Sequence, residues 1–90
     1  MTETDIREKV DRKTVGVEER SLLIFNDDYN TFDHVIECLI DICGHNPFQA
    51  EQCAMIAHYK GKCAVKSGAY ESLYPYKSAL NERGLEAVIK

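Results

Sequence analysis

Polar side chains with oxygen atoms are concentrated in one short segment of the sequence, where they could bind a cation or an amine. Asn26, Asp27, Asp28 and Asn30 follow directly after the apolar run at residues 22–25. A short apolar run bounded by Asn and Asp is typical of a buried strand. The sequence therefore predicts an acidic turn at the end of a strand, although turns of this composition often serve only turn and capping chemistry.

His58 could add a different type of group to this acidic segment. Asp27, Asp28 and His58 could form a small metal-dependent hydrolase site, because carboxylates and histidine act as metal ligands and general bases. The chain has no obvious nucleophile and no second acidic cluster, and we therefore expect no enzyme, no metal site and no cofactor. His34 and Cys38 lie one helical turn apart, but two ligands do not make a metal site. A general protein-interaction module is the third alternative.

The size and composition of the chain are those of one small folded domain. It has 90 residues, 44% of them hydrophobic, and a net charge of −4, which argues against nucleic-acid binding. Residues 1–20 mix charges of both signs without a sustained apolar period. We therefore predict a flexible arm over residues 1–20, followed by a core domain over residues 21–90.

The location of the protein is predicted from its apolar segments and cysteines. No stretch approaches the length of a membrane span, and charges occupy the N-terminus where a signal peptide would be apolar. We therefore predict a cytoplasmic protein that does not bind membranes, with its cysteines reduced. The four cysteines form no C-x-x-C pair, and we expect them to pack as small apolar side chains: Cys38, Cys43, Cys53 and Cys63.

Apolar periodicity predicts two helices after the acidic turn. The stripe at positions 32, 35, 36, 39, 40 and 43 has helical spacing. We predict that Asn30 caps this first helix and that Gly44 ends it. Asn46, followed by a proline at the first helical position, is typical of the start of a second helix, which we expect to end at Gly61.

The last third of the chain alternates between strand and helix patterns. Period-two alternation predicts strands at residues 62–66 and 85–90. Between them we predict a third helix whose regular part runs from Pro75 to Arg83, with the proline in the first turn, where it has no hydrogen bond to lose. The order β-α-α-β-α-β predicts an α+β domain with helices on one face of a small sheet.

Two segments at a matching distance resemble the ClpS family: N-D-D-Y at residues 26–29 and A-H-Y-K-G at residues 57–61. ClpS proteins are adaptors that deliver substrates with particular N-terminal residues to Clp proteases. The resemblance runs from residue 22 to residue 89 and implies a three-stranded antiparallel sheet packed against three helices. It implies binding rather than catalysis, in a pocket for a free α-amino group and a bulky hydrophobic first side chain (Leu, Phe, Tyr or Trp). The implied partners are these substrates and a Clp AAA+ unfoldase of the ClpA or ClpC type, which the arm would contact. We expect a monomer.

The resemblance also implies roles for individual residues. The groups that would bind the α-amino group are Asn26, Asp27 and His58, with Asp28 and Asn30 beside them. The hydrophobic pocket would be lined by Phe32, Val35, Ala54, Ala57 and Leu85. Contacts with the unfoldase would fall at Tyr29, Glu71 and Lys77.

The chain departs from the family pattern at the pocket itself. Asn30 stands where the family usually has Thr, and Phe32 replaces the Met that guards the pocket entrance. Ala54 and Ala57 replace larger residues on the wall. We hypothesise that the two alanines offset the bulk of Phe32, so that the pocket is reshaped rather than closed.

Overall fold

The computed structural model describes residues 18–90, in which three strands and three helices follow the predicted order. The elements are β1 (Arg20–Phe25), α1 (Phe32–Cys43), α2 (Pro47–Lys60), β2 (Lys62–Gly68), α3 (Tyr70–Glu82) and β3 (Glu86–Ile89). The predicted α+β architecture is therefore confirmed. The arm predicted over residues 1–20 falls mainly on residues 1–17, which lie outside the described residues, and β1 already begins at Arg20.

Strand β1 is the central strand of the sheet, and both of its neighbours run antiparallel to it. The strand order is β2-β1-β3, and Ile24 lies opposite both Cys63 and Ala87. The register of β1 and β2 shifts between Leu22 and Leu23, which pair with residues 66 and 64, so one residue of β2 bulges out of the pairing. Because β1 is central, the acidic turn that follows it is held by a strand paired on both edges.

The core lies on one face of the sheet, beneath the helices. Leu22 and Ile24 of β1 are buried and alternate with partly exposed neighbours, as the pleat of a strand requires. The helices contribute the buried residues Cys38, Leu39, Cys43, Ala50, Ala54, Ala57, Leu73 and Leu80. None of the helices described between residues 18 and 90 is long and apolar enough to cross a membrane.

The cysteines pack as small apolar side chains, as the sequence predicts. Cys38, Cys43 and Cys63 are buried, Cys53 is partly exposed, and all are free thiols. Burial raises the pKa of Cys43 to about 11. Burial, together with a hydrogen bond to Cys53, raises the pKa of Cys63 to about 12. These two thiols are therefore neutral at physiological pH, which suits a core position.

The helix ends confirm most of the predicted capping and correct one assignment. Gly44 and Gly61 adopt left-handed conformations with φ of +73° and +95°, and the Asn46 side chain accepts a hydrogen bond from the Gln49 N–H, all as predicted. The prediction that Asn30 caps α1 is wrong. Thr31 is the cap, because its hydroxyl oxygen accepts the His34 N–H at 3.1 Å while the Asn30 side chain points elsewhere.

Helix α3 begins earlier than predicted. It starts at Tyr70, which places Pro75 in the second turn and not in the first. Pro75 has no N–H for the Glu71 carbonyl, but both residues are exposed, so water can bond to that carbonyl. The burial of Leu73 and Leu80 holds both halves of the helix against the sheet despite the proline.

Candidate functional site

A cavity of about 280 Å³ opens beside the acidic turn. Four segments enclose it: the end of β1 with the turn, the start of α1, the last turns of α2, and the connection from α3 to β3. The structure brings together in its lining all of the residues predicted for the hydrophobic wall, which are Phe32, Val35, Ala54, Ala57 and Leu85. It also brings together four predicted polar residues: Asn26, Asp27, Asn30 and His58.

The other predicted site residues lie outside the cavity. Asp28 is exposed and does not line it, and Tyr29 is 94% exposed. Glu71 and Lys77 lie on α3, away from the cavity, where the Lys77 ammonium donates a hydrogen bond to the Asn81 side chain at 3.0 Å. Two further residues line the cavity without having been predicted, Ile24 and Phe25. They immediately precede Asn26, and this adjacency was the available signal.

The carboxylate of Asp27 organises the turn. Its Oδ1 atom accepts hydrogen bonds from the backbone N–H groups of Tyr29 at 2.9 Å and Asn30 at 2.8 Å. Its Oδ2 atom accepts a third from the Asn30 side-chain amide at 2.7 Å. Burial raises the pKa of Asp27, but the hydrogen bonds from Asn30 and Tyr29 outweigh burial and hold this pKa below its ordinary value. Asp27 is therefore an anion at neutral pH, and one of its roughly four lone-pair directions stays free for a ligand.

Asn30 joins the turn to a distant part of the chain. Its side-chain nitrogen donates to the Asp27 carboxylate and also, at 2.9 Å, to the backbone carbonyl of Gly84. Gly84 belongs to the connection between α3 and β3 that carries Leu85 into the cavity wall. One amide group therefore contacts both the acidic turn and the connection that carries Leu85.

His34 anchors the same connection, a role that the sequence did not predict. Its Nε2 atom lies 2.8 Å from the backbone carbonyl oxygen of Arg83. A carbonyl can only accept, so Nε2 carries the proton, and the Cys38 sulfur at 3.5 Å can act only as a weak acceptor of the same N–H. His34 and Cys38, whose spacing could suggest a pair of metal ligands, are thus part of a structural hydrogen-bond arrangement. Its signal in the sequence was only that His34 lies at the start of α1, close to the acidic turn.

His58 lies at the rim of the cavity in the last turn of α2. Its ring meets the ring of Phe32 edge to face, with centroids 6.0 Å apart, and that of Tyr59 with centroids 4.9 Å apart. The His58 side chain forms no hydrogen bond within residues 18–90, so its ring nitrogens are available to a ligand. In the same part of the chain, no group of three His, Cys, Asp or Glu side chains is placed to hold a metal ion.

The cavity interior is apolar below this polar rim. Ala54, Ala57 and Leu85 are buried in its wall, while Phe32, which is 40% exposed, stands at the entrance. The volume is slightly below the roughly 300–1,000 Å³ typical of pockets for drug-sized molecules. An anion and hydrogen-bond acceptors over an apolar chamber suit a ligand in which an ammonium group adjoins one apolar side chain.

Comparison with known proteins identifies the family. Residues 18–88 match the model of the family described as ATP-dependent Clp protease adaptor protein ClpS. The chain is 37% identical to the ClpS adapter of Nostoc sp. over 71% of its own length and 67% of that protein, and 34% identical to the ClpS adapter of Synechocystis sp. over 71% of its own length and 66% of that protein.

A solved structure shows the same fold. Agrobacterium tumefaciens ClpS2 bound to L-phenylalaninamide is similar with a TM-score of 0.74 and 20% identity, over 80% of this chain and 94% of that one. The chain spans about two thirds of the length of the curated relatives that it matches. The match to the family model covers most of the residues that the structure describes. This chain therefore belongs to the ClpS family of Clp protease adaptors, which are binding proteins and not enzymes.

Proposed function

We propose that this adaptor binds proteins through a free α-amino group together with a bulky hydrophobic N-terminal residue, and delivers them to the Clp unfoldase. One observation carries the proposal. A single cavity combines the ionised carboxylate of Asp27 with an apolar wall formed by Ala54, Ala57 and Leu85. An N-terminal residue is the part of a protein that has an ammonium group and an apolar side chain on the same carbon atom.

The polar rim accounts for recognition of the ammonium group. An α-ammonium has three N–H donors and a positive charge. The free lone-pair direction of Asp27, the side-chain oxygen of Asn26 and an unprotonated ring nitrogen of His58 can accept them. Each such hydrogen bond to a charged group contributes about 1.5–3 kcal/mol. Asp28, which is exposed in the turn and does not line the cavity, adds only a longer-range negative charge.

The apolar chamber accounts for recognition of the side chain. Burial of a Leu or Phe side chain contributes about 1.5–3 kcal/mol. L-Phenylalaninamide, the ligand of the similar Agrobacterium protein, has both a free α-amino group and a phenyl ring. This chemistry supports Phe among the accepted first residues, with Leu, Tyr and Trp as the other candidates. The bulk of Phe32 at the entrance, offset by the small Ala54 and Ala57, sets the preference among them.

Delivery requires a surface for the unfoldase, which we propose is of the ClpA or ClpC type. The proposed contacts are Tyr29, Glu71 and Lys77. They lie outside the cavity, so the cavity stays free for the substrate while the unfoldase is bound. The arm over residues 1–20 supplies a second contact. We propose that the adaptor acts as a cytoplasmic monomer.

The metal-dependent hydrolase considered from Asp27, Asp28 and His58 does not fit the family, whose members are adaptors. The interaction-module alternative differs from N-terminal recognition in one respect: it does not require a free α-amino group. Acetylation of the N-terminus distinguishes the two, because it removes the charge and two of the three donors.

The test is fluorescence anisotropy with labelled peptides that begin with Leu, Phe, Tyr, Trp or Ala, each with its N-acetylated form. We expect binding of the bulky free N-termini, weak binding of the Ala peptide, and loss of binding on acetylation. Asp27→Ala should abolish binding, whereas Asp33→Ala, the matched removal of an exposed carboxylate in α1, should not. Equal binding of free and acetylated peptides would overturn the proposal in favour of a general interaction module.

A further inference from the structure

We propose that Asn30 is a positioning residue that determines which first side chains the cavity prefers, because its amide fixes the distance between the acidic turn and the wall at Leu85. The inference rests on the proposed function. It assigns a role to a contact between residues 54 positions apart, the Asn30 amide and the Gly84 carbonyl.

The chemistry of the Asn30 amide defines the contact. The nitrogen carries two hydrogens, and its two acceptors are the Asp27 Oδ2 atom at 2.7 Å and the Gly84 carbonyl oxygen at 2.9 Å. Both neighbours are acceptors, which fixes the orientation of the amide with nitrogen toward them. A Thr at this position would carry one hydroxyl hydrogen and could donate to only one of the two acceptors. The simultaneous link is therefore a consequence of Asn at this position.

The connection between α3 and β3 is held by side chains. The carbonyls of residues 83, 84 and 85 accept hydrogen bonds from His34, Asn30 and Asn81, respectively. The Leu85 N–H donates to the Leu80 carbonyl at 3.1 Å. Loss of the Asn30 contact therefore leaves the connection attached at Arg83 and at Leu85 but removes its direct link to the acidic turn, so the distance from Leu85 to Asp27 is less restrained.

Through Leu85, the link between Asn30 and Gly84 affects which first side chains fit the cavity. Leu85 is 4% exposed and lines the cavity together with Asn30 and Asp27. The ammonium group of a ligand is held at Asp27, so the distance from Asp27 to Leu85 sets the room for its side chain. A change at Asn30 should therefore alter the ratio of affinities for different first residues more than the requirement for a free α-amino group.

The experiment compares the unmodified chain with Asn30→Thr and Asn30→Val, two variants of nearly equal shape of which only the first retains a hydrogen-bond donor. Peptides that begin with Phe, Leu and Trp are titrated in free and N-acetylated form, and thermal unfolding checks that each variant is folded. We expect both variants to change the Trp-to-Leu affinity ratio by about fivefold while free peptides still bind in preference to acetylated ones. In a Leu85→Ala background, Asn30→Thr should change the ratio by less than about twofold, because Asn30 acts through Leu85.

An unchanged ratio in folded Asn30 variants, or an equal effect of Asn30→Thr with and without Leu85, would overturn the inference. Amide hydrogen exchange of Leu85 is measured in the peptide-free protein. It therefore tests the attachment of the connection separately from the proposed binding of N-termini. Faster exchange in Asn30→Val than in the unmodified chain supports the attachment itself, and unchanged exchange contradicts it. If the unmodified chain bound no free peptide, the proposed function and the selectivity role would both be wrong, whatever the exchange result.

Discussion

The rings of Phe32 and His58 meet edge to face at the entrance of the cavity, with centroids 6.0 Å apart and an interplanar angle of 88°. Phe32 begins α1 and His58 lies in the last turn of α2, so the contact joins the two helices at the point where a ligand enters. An aromatic pair of this geometry contributes about 0.5–1.5 kcal/mol. The residue that narrows the entrance thus also orients the imidazole proposed to accept the ammonium group.

Replacement of Phe32 by Met should change the order of preferred first residues. A flexible Met side chain widens the entrance and removes the edge-to-face contact, so we expect the affinity for Trp peptides to rise relative to Leu peptides by about threefold to tenfold. Anisotropy titrations of the Phe, Tyr, Leu and Trp peptides measure the order. Phe48→Met is the matched control, because Phe48 is 70% exposed on α2 and does not line the cavity. An unchanged order in Phe32→Met would contradict the reshaped pocket.

Filling the space beside Ala54 should act in the opposite direction. Ala54 is 3% exposed in the cavity wall, so Ala54→Met places extra volume where the ligand side chain would lie. We expect Trp and Phe peptides to lose about tenfold in affinity and Leu peptides less, because overpacking costs about 1–3 kcal/mol. The control is Ala64→Met, at an exposed position of β2 that does not line the cavity. Equal losses for all peptides would indicate general damage and not a filled pocket.

The acidic turn should make part of the stability depend on pH. The pKa of Asp27 is lower in the folded chain than in the unfolded chain because of the hydrogen bonds from Asn30 and Tyr29. Its ionised form therefore stabilises the fold above the unfolded pKa, and this contribution is lost as the pH falls through the folded pKa. We expect Asp27→Asn to reduce the free energy of unfolding at pH 7 by about 1 kcal/mol, and by less at pH 3.

Urea unfolding at the two pH values measures this difference, with Asp28→Asn as the control for removal of a neighbouring charge. Asp28 is exposed and lies outside the cavity, so Asp28→Asn should change the free energy of unfolding by about the same small amount at pH 7 and at pH 3. If Asp27→Asn lowered the free energy of unfolding as much at pH 3 as at pH 7, the ionised carboxylate of Asp27 would not be what stabilises the turn.

Gly84 offers a test of the connection that is independent of Asn30. Its φ of +91° is a left-handed conformation, which costs a residue with a side chain about 1–2 kcal/mol. A Cβ atom there would meet only the Asn30 Oδ1 atom, at an ordinary 3.7 Å, so the cost of Gly84→Ala comes from the backbone. Gly44→Ala is the matched control, with φ of +73° at a helix end far from the cavity.

Both glycine variants should lose stability in thermal unfolding, but only Gly84→Ala should change the preference for first residues. The expected reason is that strain at Gly84 moves its carbonyl relative to the Asn30 amide. The same change in preference in both variants would mean that lowered stability, and not the position of the connection, alters the cavity.

The elements around the site could be predicted because local signals define them. The apolar run before Asn26, the cap at Asn46 and the glycines that end α1 and α2 each act within a few residues. The start of α3 could not be predicted, because the burial of Leu73 against the sheet outweighs the local effect of Pro75. Tertiary packing overrides propensity at such a position.

The hydrogen bonds within the site are harder to predict from the sequence than the residues that line the cavity. The bonds from Asn30 to Gly84 and from His34 to Arg83 join residues about fifty positions apart, and no local pattern indicates which carbonyl a side chain will reach. The local sequence therefore predicts Asn30 as a helix cap, a role that its residue type favours. In the structure the cap is Thr31, and the Asn30 amide links the acidic turn to the connection between α3 and β3.

The most direct test of the central claim is calorimetric titration of the adaptor with L-phenylalaninamide and with N-acetyl-L-phenylalaninamide. The first has the free ammonium group and the apolar side chain that the cavity is proposed to recognise. In the second, the ammonium group is converted to a neutral acetamide, while the side chain and the carboxamide are unchanged. We predict binding of L-phenylalaninamide that is lost on acetylation and lost in Asp27→Ala. Equal binding of the two compounds, or undiminished binding in Asp27→Ala, would contradict the assignment of the acidic turn as the receptor of the α-amino group.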